Sequence, residues 1–166
     1  MYSDLARTVL LGGDEEKLDL EIRGILEKHP DADRYEVADR LISRAMARCA
    51  AVGAIASIPA GVLAGLPAAA DMAFQVRTLH HLALGIARAR RKDTTAVDRA
   101  VAAVGALAIA GAARVFREGM LAGSRQALGR RAPRLVPLAG AIAGAVSGAL
   151  AAWAAGRLAR ETLARR

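Results

Sequence analysis

The stretch LAGAIAGAVSGALAAWAAG, residues 138–156, decides how this chain is read. It carries no charge, and with Leu135, Val136 and Pro137 before it the uncharged run reaches 22 residues. A helix of that length crosses about 30 Å of hydrocarbon. Its residues sort by size. Leu138, Ile142, Val146 and Leu150 recur at every fourth position and form a ridge along one side of a helix. Gly140, Gly144 and Gly148 recur at the same interval on roughly the opposite side. A glycine row lets a second backbone come close. Because glycine in an exposed helix costs about 1 kcal/mol relative to alanine, three in register imply a contact on that face. As a lone membrane span the segment is marginal. Its aliphatic residues gain only about 2–4 kcal/mol on insertion, and Pro137 and Ser147 oppose it.

A second uncharged run, Cys49 to Ala70, is interrupted by Pro59 and Pro67 and holds Gly61 and Gly65 at the same four-residue spacing. The expectation is that the two runs pack through their glycine faces. They then either enter a bilayer as apolar hairpins or form the core of a helical bundle.

The rest of the chain is helical in pattern, with no stretch of clean strand alternation. Leu18, Ile22, Ile25 and Leu26 share one face of an acidic segment that opens with Glu15 and Glu16 and stops before Pro30. Asp33 and Glu36 read as a capping box, followed by an apolar face of Val37, Leu41, Ala45, Met46 and Cys49. Pro67 suits the first turn of a helix that runs to the basic residues at 88–92. Thr95 and Asp98 form a second capping box, opening a helix expected to end near Glu118, ahead of Gly119, Gly123 and Gly129. Pro133 and Pro137 bracket a break before the last helix. The fold class expected is all-α, a bundle of about five or six helices in a single domain over 1–166. An acidic N-terminal part, 1–33, precedes the larger helical region 34–166.

Composition sharpens this. Of 166 residues 54% are hydrophobic but only 3% aromatic, so the apolar mass is small side chains. Net charge is unevenly spread: residues 1–41 carry −5 and residues 42–166 carry +13. Such asymmetry points the later part toward an anionic surface. The single Cys49 cannot form an internal disulfide, and no secretory leader is expected at the N-terminus, so the expected compartment is the cytoplasmic face of a membrane, or the cytoplasm itself.

The bases border the uncharged runs. Arg44 and Arg48 precede the first, Arg88, Arg90, Arg91 and Lys92 follow it, Arg130, Arg131 and Arg134 precede the second, and Arg157 follows that. Bases on both sides of each run disfavour a single crossing and suit re-entrant or surface-lying hairpins. From Arg88 onward these residues are the candidate contacts to anionic headgroups, with Trp153 beside Arg157 either an interfacial anchor or a core residue.

Catalytic chemistry has little support. His80 and His81 are adjacent, hence about 100° apart on a helix, and have no companion ligand at metal spacing. Gly12 and Gly13 lack the lysine and serine of a phosphate loop. No enzyme, cofactor or metal site is expected. Nucleic acid is not expected either, since single-strand binders need aromatic stacking platforms. Asp71, the one acid between Asp39 and Asp93, is a helix-start acid or a buried polar group partnered by Arg77.

The segment VGAIASIPAGVLAGLPAAADMAFQVRTLHHLALGIARA, residues 52–89, resembles the central part of EcsC-type proteins. The matching positions are Gly65, Leu66, Pro67, Asp71, Gln75, Arg77, Ile86 and Ala87, and RLVPLAGAIAGAVSGALAAWAAGRLA at 134–159 is similar to that family's closing segment. The resemblance covers roughly residues 35–160. It departs at Arg90–Lys92, where the family has a tyrosine-glycine step, and at Ser147–Gly148, where it commonly has asparagine. A related helical domain, attached to some bacterial dynamin-like GTPases, is the neighbouring possibility. The resemblance implies a helical, membrane-associated bacterial protein and supplies no catalytic residues.

The expectation is therefore a non-enzymatic protein whose apolar segments contact or enter the cytoplasmic leaflet while its bases meet anionic lipid. The alternative is a soluble bundle whose glycine faces mediate self-association or bind an apolar ligand. A homo-oligomer or a membrane-protein partner fits either arrangement.

Overall fold

A computed structural model describes residues 15–56, 68–90, 95–128 and 135–164, and these form an all-helical bundle. The helices are α1 (Glu15–Leu26), α2 (Arg34–Ala56), α3 (Ala68–Arg90), α4 (Ala96–Leu128) and α5 (Val136–Ala164). Their starts are set locally. The Asp33 carboxylate accepts hydrogen bonds from the backbone N–H groups of Tyr35 and Glu36, both at 2.8 Å, and so caps α2. At the head of α4 the box is reciprocal: Asp98 N–H donates to Thr95 Oγ1 at 3.1 Å, and Thr95 N–H donates to the Asp98 carboxylate at 3.0 Å. Pro137 sits in the first turn of α5, where its missing N–H costs nothing.

Helix α4 is longer than the sequence pattern suggests. It continues through Gly119 and Gly123 to Leu128 instead of ending near Glu118. The alanine and leucine around these glycines are strong helix formers, and a glycine lowers propensity without breaking the hydrogen-bond ladder.

Neighbouring helices pack as α2–α3, α3–α4, α4–α5 and α5–α2, with α3 also against α5 and α1 lying on α3 and α2. The α2–α5 interface is the most extensive. Val37, Leu41 and Ile42 of α2 and Leu79, Leu82 and Ile86 of α3 supply the bulky core, whereas α5 gives it only alanines: Ala151, Ala152, Ala155 and Ala159.

The α2–α5 seam rests on glycine. A Cβ on Gly148 would strike the Cys49 carbonyl, its carbon 2.7 Å away. A Cβ on Gly53 would strike the Gly144 carbonyl, and one on Gly156 would strike Ile42. As the α5 number rises from 144 to 156, the α2 number falls from 53 to 42, so the helices run antiparallel. Gly140, Gly144 and Gly148 are all buried. The expected close approach is present, but it uses Cys49 and Gly53 of the first uncharged run. Gly61 and Gly65 lie outside the described residues.

Candidate functional site

With its small side chains turned inward, α5 presents its large ones outward. Leu138 is 59% exposed, Ile142 54% and Trp153 47%, with Val146 and Leu150 between them. Helix α4 does the same. Its buried residues include Ala102, Ala103, Ala106 and Ala110, while Val104 is 66% exposed, Val115 71% and Phe116 50%. Both sides of these helices are apolar, and they differ in side-chain size. A helix packed on a water-bathed bundle ordinarily sorts by polarity, large apolar groups inward. Here the order is reversed.

The two outward faces are continuous. Ile109 and Phe116 of α4 and Leu150 and Ala154 of α5 wall an open apolar groove with Ser147 in it. Ser147 is buried, and its hydroxyl donates to the Gly144 carbonyl at 3.0 Å, so it exposes no unsatisfied group there. Arg114 donates to Glu118 at 2.9 Å. Seven and eleven residues on from Leu107, which is exposed and does not line the groove, these two fall on the flank of α4 away from Ile109 and Phe116. At one end, the Arg157 guanidinium stacks over the Trp153 ring, 5.6 Å from its centroid. Both α4 and α5 contain stretches long and apolar enough to cross a membrane, Val97–Ser124 and Pro137–Thr162, by length and composition only.

Behind this face lies a buried polar cluster. Asp71, in the first turn of α3, accepts from Arg117 Nη1 at 2.5 Å and from Gln75 Nε2 at 3.2 Å. Arg77, the partner expected from sequence, is instead exposed. The Asp71 cation comes from α4, 46 residues away, so no local spacing could reveal it. His80 is also buried, and its Nε2 has no hydrogen-bond partner among the described residues. Desolvation lowers its pKa. Burial, reinforced by the Asp71 charge, pushes the Cys49 thiol up to about 11, which keeps it protonated and unreactive.

The expected headgroup contacts divide. The Arg88 guanidinium donates to both Asp19 oxygens, at 2.8 and 2.9 Å. Arg90 lies over the Tyr35 ring at 4.9 Å and donates to the Arg160 carbonyl at 2.8 Å. Both therefore tie the bundle together. Arg157 and Trp153 are exposed at the apolar face. Arg91, Lys92, Arg130, Arg131 and Arg134 lie outside the described residues. Among the described residues no group of histidine, cysteine and acids is arranged to hold a metal ion.

No family model matches the chain, and neither a characterised protein nor a solved structure is similar to it.

Proposed function

We propose that this is a non-enzymatic, membrane-associated protein that lays the α4–α5 face against the cytoplasmic leaflet, as its EcsC-like segments imply. The observation that carries the reading is the outward ridge Leu138, Ile142, Val146, Leu150 and Trp153, continuous with Phe116 of α4. Half-exposed aliphatic and aromatic side chains of this kind gain roughly 1 kcal/mol each on leaving water. Arginine at the rim adds about 1 kcal/mol against anionic lipid.

The face suits lying on the bilayer better than crossing it. Phe116 sits beside Ser147, which places Arg114, Arg117 and Glu118 level with the middle of the uncharged part of α5. A hydrocarbon slab that enclosed residues 135–156 would take the exposed Arg114–Glu118 pair out of water, where a charge costs about 2.5–3.5 kcal/mol before pairing, whereas Arg117 is already buried against Asp71. An apolar face set into the headgroup boundary avoids that cost.

The test is flotation of the detergent-free protein with vesicles of phosphatidylcholine, alone and mixed with phosphatidylserine. The expected result is co-flotation that survives a high-salt wash and is lost in the Leu138→Ser/Ile142→Ser variant. A monodisperse oligomer that ignores both vesicles would mean that a second copy covers the face.

A further inference from the structure

Helix α1 holds four arginines, of which Arg88 is one of the expected headgroup contacts. Glu15 reaches Arg88 at 3.5 Å and Arg99 at 3.2 Å. Asp19 takes Arg88 at 2.8 Å. Glu21 takes Arg48 at 3.1 Å, Arg44 at 3.7 Å and His81 at 3.3 Å. All three acids belong to the part of the chain with net charge −5, and all four arginines to the part at +13. The charge asymmetry of the sequence is therefore folded onto itself here.

The attachment of α1 is slight. It has 12 residues, too few for a stable helix in isolation. Two side chains, Leu18 and Ile25, are its buried anchors. Leu18 seats against Leu84 and Ala102 in a small separate cluster, and Ile25 alone of α1 is fully buried in the main core, with Ile22 against it. Leu18 also covers Gly85, where a Cβ would stand 3.3 Å from its Cδ2. Most of the ion pairs around these anchors join one part-buried partner, Glu21 or Arg88, to one open to water, and Glu15–Arg99 is exposed on both sides, so salt reaches and screens them.

Resting on the membrane reading above, we propose that α1 is a removable acidic cover, and that the basic surface beneath it, Arg44, Arg48, Arg88 and Arg99, on the α2–α3 side of the bundle, takes an anionic membrane separately from the α4–α5 face when α1 lifts. Charge complementarity selects this occupant. A phosphatidylserine surface presents carboxylate and phosphate oxygens to the same guanidinium groups that Glu15, Asp19 and Glu21 now hold. It presents them as a dense array, against which each base near the surface gains attraction. The uncovered strip at Leu84 and Gly85 adds an apolar centre to the site.

Two full-length variants test this. Leu18→Ala removes an anchor and leaves the net charge unchanged. Glu15→Gln/Asp19→Asn/Glu21→Gln removes the ionic contacts and keeps both anchors. Flotation is measured on phosphatidylcholine vesicles and on vesicles mixed with phosphatidylserine, and amide hydrogen exchange reports whether residues 15–26 have opened. Both variants are expected to bind the phosphatidylserine vesicles at least about ten-fold more tightly than wild type, with a steeper salt dependence. Binding to phosphatidylcholine alone should be unchanged. Wild-type affinity for phosphatidylserine with α1 amides in fast exchange overturns the proposal. So does persistent protection of α1 in both variants, which would make it a fixed part of the fold. Failure of the membrane-face reading looks different: wild type then ignores phosphatidylcholine while the variants still gain on phosphatidylserine.

Discussion

Replacing Gly148 by alanine sets two effects of opposite sign against each other. In an unconstrained helix the change stabilises by about 0.5–1 kcal/mol, because alanine has less backbone entropy to lose. At Gly148 the new methyl would stand 2.7 Å from the Cys49 carbonyl carbon and closer still to its oxygen. The obstacle is backbone, which no rotamer change can move. Relief requires α2 and α5 to separate by something near 1 Å along their shared seam. A gap of 0.5–1 Å already forfeits about a quarter to a half of each dispersion contact across it. Overpacking of this kind costs about 1–3 kcal/mol, and a rigid obstacle places Gly148→Ala at the upper end. Gly53→Ala, aimed at the Gly144 carbonyl, should behave alike. Gly111→Ala and Gly119→Ala are the controls, since a methyl at either position meets nothing within 4 Å. These should be neutral or stabilising by up to about 1 kcal/mol. The assay is urea unfolding followed by circular dichroism, with unchanged m-values confirming a common unfolding reaction. Equal stability changes for Gly148→Ala and Gly119→Ala would mean that the α2–α5 seam does not depend on the bare Gly148 backbone.

Asp71→Ala leaves Arg117 buried without its carboxylate and should cost about 3–5 kcal/mol in urea unfolding. The double variant Asp71→Leu/Arg117→Met should recover much of that loss, and strict additivity of the two single changes would count against a buried pair. His80 has a depressed pKa, so the unfolded chain takes up a proton that the folded state refuses. Its contribution to stability is present above the ordinary histidine value near 6.5 and is lost as pH falls below it, at up to about 1.4 kcal/mol per pH unit. Thermal midpoints should decline over that range in wild type and less so in His80→Gln. Asp19 and Glu21 act at lower pH. Their pKa values are depressed chiefly by hydrogen bonds from Arg88 and His81 respectively, so their contribution is lost only as pH falls through values below the usual carboxylate range. Cys49 should resist iodoacetamide in the native protein and react once urea unfolds it. Rapid native alkylation would contradict its burial.

Much of this architecture is legible in residues 138–156, because a four-residue period assigns each side chain to a face without reference to any other part of the chain. The ridge from Leu138 to Leu150 and the row from Gly140 to Gly148 stand on opposite sides as their spacing requires. The caps at Asp33 and Thr95 are equally local and equally legible. What spacing cannot supply is the partner. Cys49 and Gly53 meet α5, and their selection depends on where α2 crosses it. Arg117 is the cation for Asp71, and Asp19 occupies Arg88 across 69 residues. Each pairing follows from how the helices assemble, and a basic residue that ends up tied to α1 reads in sequence like one bound for lipid. The extent of α4 was obscured for a different reason. Gly119 and Gly123 look like breakers, yet both stand in open space within a continuous helix.

The most direct test of the outward apolar face uses Trp153, the single tryptophan of the chain. Its fluorescence is recorded as vesicles of phosphatidylcholine and phosphatidylserine are added, with lipids brominated at different acyl depths as quenchers. A face seated at the headgroups gives a blue shift, protection from aqueous acrylamide, and strongest quenching by bromines nearest the headgroups. An emission maximum that does not move, with acrylamide access unchanged at saturating lipid, would contradict it.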